Sequence, residues 1–578
     1  MSFSWDLKDL FANTEDFYEQ IENIKILLEQ IKQYENTELD CASLEKLLNL
    51  KWKIKELANN VLVYGSLSYY KNVKSEECMK LKSVAEEFSN QVDLSLHFID
   101  EAIIKIGQDK IRDWIAKNNQ LAIYKQYLDN LFRREKHHLS SLESEIQKDN
   151  IDKINKCLTE YNALLTSIKF GEIETEDGKQ EITLTNMNKY LASRNRDTRK
   201  KTYFAISQSF KSKNDIFAKL LDNIIKRRKK NASIERYDSV LEKVLFDENI
   251  DSHIIETLII AAHENIGLIQ KYLEIKAKIL GIDDAHLYDF GVPLDNGLKI
   301  KYTLDEAINI IKEALKPLGN KYLEALDYLL NGHIDALVNE NKHQAITFSW
   351  HTYSFLNFRG SYVDLKNLIH EIGHIINYYF SKNSQPFIYE DSTIFVGETA
   401  SLVNEILLNK YLYKVAKTKE EKLFYLSKEI ENYFITVFKQ TMYSEFENEL
   451  YAENDSLTPE VLNSKYKKII KKYYGNKVTY DKDNAIEWSR LGHLYRHSYY
   501  PYKYATGLLI ASVVVNFLET EKYFREKYLN FLSLGSSMYS LELLKTLDVD
   551  FKNLEILNNG FLVLKEDIEK LEQELMET

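Results

Sequence analysis

With 578 residues, 44% hydrophobic and 28% charged, the chain has the composition of a soluble globular protein large enough for several core-bearing units. Its formal net charge of −12 is contrary to the basic face that phosphate binding requires, so nucleic acid is excluded as an expected partner. Only 18 Gly and 5 Pro interrupt it, which favours long helices over many short strands joined by tight turns.

The opening "MSFSWDLKDLF" carries charges where an export signal needs an apolar run. The following ~130 residues read as successive amphipathic helices, as in 18–34, where apolar residues recur at three- and four-residue spacing. Cys41, Cys78 and Cys157 are far apart and show no disulfide or thiolate-metal spacing, so a reducing, cytoplasmic location is expected. Ser140 and Glu143 have the spacing of a capping box at the head of another helix. Residues 171–185 differ: two alternating runs flank Asp177-Gly178, the signature of a β-hairpin. Helical patterns resume near 188 and run to about 335. Within them the basic run "KRRKK" (226–230) reads as a solvated helix face. A second strand-like island covers 343–361, and helices follow to the end. The longest apolar stretch, 507–518, is too short to span a bilayer and reads as a buried helix, so no membrane partner is expected. A domain boundary is expected near 190–205, separating a helical region with the hairpin (1–195) from a second domain (196–578).

The segment "LKNLIHEIGHIINYYF" (365–380) carries the chemistry. His370 and His374 are four residues apart, one helical turn, so both imidazoles face one point and can reach a single Zn²⁺ at roughly 2.0–2.1 Å. Glu371 is rotated away from both histidines and flanks that point as a general base rather than a ligand. Leu365, Leu368, Ile369, Ile372 and Ile376 give this helix an apolar face. A catalytic zinc needs a third protein ligand. Glu398, at the start of the periodic segment 395–412, supplies a candidate. Ser401 and Glu405 share its face, which places Glu405 to hold a ligand histidine by its second ring nitrogen.

Together with "HLSSLESE", "RYDSVLEKVLFDENI" (236–250), "HLYDFGVPL" (286–294), "FVGETASLVNE" and "HLYRHSYYPYKY" (493–504), these residues resemble the oligoendopeptidase F group of the thimet-oligopeptidase family of zinc peptidases over nearly the whole chain. The resemblance implies one zinc per chain on His370, His374 and Glu398, with Glu371 as the base. It also implies that His493 and Tyr504 contact substrate and the tetrahedral intermediate. Tyr499 and Tyr502 fall in the same block as substrate-binding candidates, their division of roles left open. The implied fold is mainly α, two helical lobes around a deep substrate channel, with a small antiparallel β-sheet beside the zinc. Residues 196–578 would then be the catalytic domain. The 343–361 island would supply that sheet, with Ala345 near the substrate and a strand edge free to pair with an extended peptide. Gln344-Ala345 replaces the usual Gly-Ala of close relatives.

The reaction implied is hydrolysis of internal bonds in short, unstructured peptides. Glu371 would activate zinc-bound water, and zinc and a tyrosine would stabilise the oxyanion. A zinc carboxypeptidase or dipeptidyl carboxypeptidase of related architecture is the alternative. Cleavage preference and oligomeric state are left open. Pro501 breaks any continuous helix through the tyrosine cluster, whose Tyr495 and Tyr500 are expected as core or wall.

Overall fold

The computed structural model describes residues 3–176, 178–294, 298 and 300–576. Helices make up nearly all of its regular structure, as the scarcity of breakers predicts. Among the described residues, β1 (Glu172–Thr175) pairs antiparallel with β2 (Gly178–Glu181), and β3 (Ile334–Asp335), β4 (Phe348–Trp350) and β5 (Tyr353–Phe355) form a sheet ordered β3-β5-β4. The expected hairpin forms, its closing pair one residue earlier than a turn at Asp177-Gly178: Thr175 opposes Gly178, whose φ of +87° is a left-handed conformation that glycine adopts without a Cβ clash. Asp177 of that turn lies outside the described residues.

Contacts divide the chain into two interleaved units. One comprises Met1–His138, Ile300–Leu408 and Lys522–Leu547, and the other Leu139–Lys299, Asn409–Glu521 and Asp548–Thr578. The boundary expected near 190–205 falls inside the second unit.

The first unit opens on the Thr14–Ile31 helix, capped by Asn13. It buries Phe17, Ile21, Ile24, Leu28 and Ile31, the face its three- and four-residue spacing predicts. Trp5 then ties the amino terminus to the sheet, its indole N–H placed between the carbonyls of His333 (3.0 Å) and Ser354 (2.9 Å). Its ring packs with Val63, Leu67, Tyr353 and Phe355 in one core cluster. The sheet is mixed: β5 runs antiparallel to β4 and parallel to β3, so the antiparallel pair expected here is β4–β5. Strand β4 is an edge strand with one side unpaired in the sheet.

The HEIGH segment lies in the Tyr362–Lys382 helix, started by a reciprocal Ser361–Asp364 capping box. Leu365, Leu368, Ile369, Ile372 and Ile376 are buried, as their period predicts. The Ile394–Val415 helix crosses it closely at Gly373. A Cβ there would lie 2.5 Å from Ser401 Cα, so only glycine permits the approach.

In the second unit, Ser140 and Glu143 form the expected capping box of the Ser141–Ser167 helix. The Lys419–Tyr433 helix continues through a π-helical turn, Phe434–Lys439, into Gln440–Ala452. The 507–518 stretch lies in the Pro501–Thr520 helix and is largely buried. No helix among the described residues is long and apolar enough to cross a membrane. Within the "KRRKK" run Lys226 and Lys230 are exposed, as a solvated face predicts, but Arg228 departs from that reading. Arg228 is half-buried and donates to the backbone oxygens of Leu494 (3.0 Å), Tyr495 (2.6 Å) and His497 (3.2 Å). A planar guanidinium with several donors suits such a cluster of carbonyls, whereas charge count along the sequence reveals only the charge.

Candidate metal centre

One turn of helix brings His370 and His374 side by side, with their Nε2 atoms 3.2 Å apart. The close crossing at Gly373 sets the Ile394–Val415 helix against them, and Glu398 Oε2 lies 3.4 Å from His370 Nε2 and 3.6 Å from His374 Nε2. Ligands ~2.0–2.2 Å from one tetrahedral ion sit roughly 3.3–3.5 Å from each other, so the three spacings fit a zinc-sized divalent cation. Among the described residues this is the single His/Cys/Asp/Glu group close enough to hold a metal.

Glu405, 6% exposed, accepts from His370 Nδ1 at 2.7 Å and is paired with Lys366 at 2.9 Å. A carboxylate here can only accept, so the imidazole proton sits on Nδ1. In the neutral ring the Nε2 lone pair then points at the ligand group. Burial works against a charged His370, but Glu405, followed by Glu398 and Glu371, overcomes it and raises the imidazole to about 9. Burial and the neighbouring His370 lower His374 to about 4. Burial raises Glu398, with His370 only partly offsetting it. For Glu405 burial is the largest influence, yet Lys366 and His370 together outweigh it and lower the carboxyl. One carboxylate and two imidazoles at this spacing form a donor set of nitrogens and an anionic oxygen suited to a divalent cation.

Glu371 is 7% exposed and turned to the sheet, where Ser349 Oγ of β4 donates to its Oε2 at 2.5 Å. The side chain expected as base is thus held from outside its own helix. Nothing in the local pattern around Ser349 signals this contact. Ala345 is exposed in the loop before β4, its N–H 3.4 Å from His343 Nδ1. The Gln344 side chain folds back onto its own loop, donating to the carbonyls of Asn339 (2.7 Å) and Lys342 (2.9 Å).

His493, Tyr499, Tyr502 and Tyr504 belong to the second unit. There the His493 ring lies 6.2 Å from Tyr504 and 6.3 Å from Tyr500. Tyr500 is also 5.3 Å from Tyr504 and 5.2 Å from His497. Tyr504 is 38% exposed, whereas Tyr499 and Tyr502 are buried. Burial, followed by His497 and Arg496, lowers His493 from its ordinary value. Tyr495 is core as expected, stacked on Tyr161 at 3.9 Å. Tyr500, expected as core or wall, instead joins the His493–Tyr504 group. Tyr499 takes a left-handed φ of 49°, and its N–H donates to buried Glu447 at 2.8 Å. Together with Arg228 on the carbonyls of 494–497, this anchors the bend that Pro501 foreshadowed.

The model of Peptidase family M3 matches residues 189–561, and that of Oligopeptidase F matches residues 103–149. The chain belongs to peptidase family M3. As an M3 member it is a metallo-endopeptidase, and among the described residues the His370–His374–Glu398 group is the one whose spacing could hold a metal ion. Over 99% of its length it is 28% identical to Oligopeptidase PepF of Bacillus subtilis, of which 87% is covered. It is 29% identical to an Oligoendopeptidase F homolog of Borreliella burgdorferi, over 98% of both chains. A solved Chlamydophila abortus structure superposes with a TM-score of 0.93 at 28% identity, over 99% of each chain. The oligoendopeptidase-F structure from Enterococcus faecium shares the mainly helical fold at a TM-score of 0.70 and 22% identity, covering 98% of this chain and all of that one.

Proposed function

We propose that this M3 peptidase is a zinc-dependent endopeptidase that hydrolyses internal bonds of short, unstructured oligopeptides. The observation that carries the reading is the convergence of His370 Nε2, His374 Nε2 and Glu398 Oε2, with the Glu371 carboxylate beside them. The names of the Bacillus and Borreliella relatives support the substrate size. His370, His374 and Glu398 would hold the zinc ion, which would supply Lewis acidity toward water and the scissile carbonyl. Glu371 accepts the proton of the attacking water and delivers it to the leaving amine. Ser349 keeps that carboxylate oriented through its hydrogen bond to Oε2. Glu405 fixes the tautomer and rotation of His370.

His493 and Tyr504 act on the substrate and on the developing oxyanion, with Tyr504 the more accessible of the tyrosines proposed to act there. Tyr499 and Tyr502, both buried in the same block, are the further substrate-binding candidates. The free side of β4, with Ala345 in the loop before it, offers main-chain hydrogen bonds to an extended peptide.

The test is incubation of metal-loaded protein with a mixed peptide pool, with and without chelator, reading new termini by mass spectrometry. Internal cleavage that survives C-terminal amidation and stops with chelator is expected. Strict release of C-terminal residues from free-acid peptides alone would assign a carboxypeptidase instead. Glu371→Gln retains zinc and loses turnover; full activity in that variant sinks the mechanism.

A further inference from the structure

A cavity of about 510 Å³ lies within the second unit, in the size range of small-molecule sites. Its wall includes the π-helical turn Phe434–Lys439, an insertion of a wider turn that costs backbone geometry and recurs at functional sites. Lys439 of that turn and Arg490, from a segment distant in the chain, both line the cavity. Neither forms a hydrogen bond or ion pair among the described residues. Each lies against an aromatic ring, Lys439 by Phe434 at 5.7 Å and Arg490 by Phe210 at 5.8 Å, and Lys439 also interacts electrostatically with Tyr443, Tyr474, Glu487 and Arg490. The hydroxyls of Tyr443, Tyr466 and Tyr474 also line the cavity without a protein hydrogen-bond partner among the described residues. Tyr466 and Tyr474 are 1% and 6% exposed. This many donor-bearing side chains around one cavity are available to an occupant that supplies acceptors.

The charge of the occupant follows from which groups are already satisfied. Glu431 is paired with Lys276 at 2.7 Å, and Glu487 accepts from Tyr203 at 3.2 Å. Glu487 keeps its charge, so two cations stand against one carboxylate, and with three hydroxyls able to donate the balance favours an anion. The rest of the wall, including Leu191, Tyr288 and Phe290, is apolar or aromatic and would be wasted on a bare inorganic ion. Ile435, 54% exposed, marks a wall residue reachable from solvent.

We propose that this cavity binds a small organic carboxylate with an apolar body, of amino-acid to dipeptide size, whose carboxylate is held by Lys439 and Arg490. The tyrosine hydroxyls complete the anion's hydrogen bonds, and the aromatic wall packs the body. The site does not depend on the peptidase reading, because binding here is read without turnover.

The test is calorimetric titration of full-length, metal-loaded protein with N-acetylphenylalanine, alongside its neutral amide and inorganic phosphate. Saturable binding at one site per chain is expected, at least tenfold weaker for the amide and for phosphate. Lys439→Met weakens it at least tenfold, as loss of a charge-assisted hydrogen bond should. His374→Ala, which disrupts the metal centre, leaves it unchanged. Should Lys439→Met fail to fold by circular dichroism, Arg490→Gln and Tyr443→Phe carry the same comparison. No saturable binding up to on the order of 10 mM overturns the proposal. So does equal affinity for the amide, which would make the cavity merely apolar, or for phosphate, which would make it a bare anion site. Binding lost in His374→Ala but kept in Lys439→Met assigns the carboxylate to the metal centre and also overturns it.

Discussion

Glu405→Ala removes the acceptor of His370 Nδ1–H and the partner of Lys366 in one step. Replacing such an outer partner of a metal ligand lowers metal affinity about 10–100-fold, which corresponds to about 1.4–2.7 kcal/mol. Two features of the structure place this variant toward the upper end. The carboxylate is 6% exposed and its bond to the imidazole is 2.7 Å, so water does not readily replace it. Without it the imidazole is free to carry its proton on Nε2, where no metal can then bind. Glu405→Gln keeps an acceptor but loses the charge, so its loss should fall between parent and alanine variant. The assay is competition for zinc with a chromophoric chelator, followed by peptidase turnover at saturating zinc, where activity should largely return. A zinc affinity for Glu405→Ala within twofold of the parent would refute both the orienting role and the assignment of Nε2 as the ligand atom.

Tyr504→Phe should lower turnover on the order of a hundredfold or more with zinc content unchanged, since one oxyanion donor contributes ~2.7–4 kcal/mol. Parent-like turnover would reject that role. Gly373→Ala places a methyl 2.5 Å from Ser401 Cα. An overpacking cost of about 1–3 kcal/mol should lower both the unfolding midpoint and zinc affinity, and parent values for both would show that the two helices separate freely. Glu447, whose oxygen accepts the N–H of Tyr499, is raised to about 8 by burial, despite the opposing hydrogen bond and Arg228. The folded state therefore holds its proton longer than the unfolded state. Stability is complete below the ordinary value of 4.5 and is lost as pH rises through about 8. Glu447→Gln should unfold at a higher temperature than the parent at pH 8, with the gap closing toward pH 4.5. A variant that is less stable than the parent at pH 8 would mean the carboxylate is ionised and paired.

The HEIGH spacing, the Ser140–Glu143 cap, the Gly178 hairpin turn and the apolar face of the motif helix are determined by residues within one or two turns of each other. Helical period, cap chemistry and the left-handed freedom of glycine act over that range, which is why the sequence alone predicts them. Glu398 and Glu405 were legible at longer range only because both fall on one face of one periodic segment. The two-residue strand β3 carries no alternation to detect, and neither does the weave of two units from six chain segments. Ser349 against Glu371, Arg228 on the carbonyls of 494–497 and the cavity that joins Lys439 to Arg490 are contacts between segments distant in the chain, while Tyr500 reaches His493 through the bend between them. Arg228 shows the difference most directly. In sequence it is one of five consecutive bases and reads as solvated charge, while in the fold its fork meets three carbonyls that no neighbour in sequence supplies. A side chain's charge and hydrogen-bonding capacity are local properties, but its partner is chosen by packing, and so only the tertiary structure decided what these groups do.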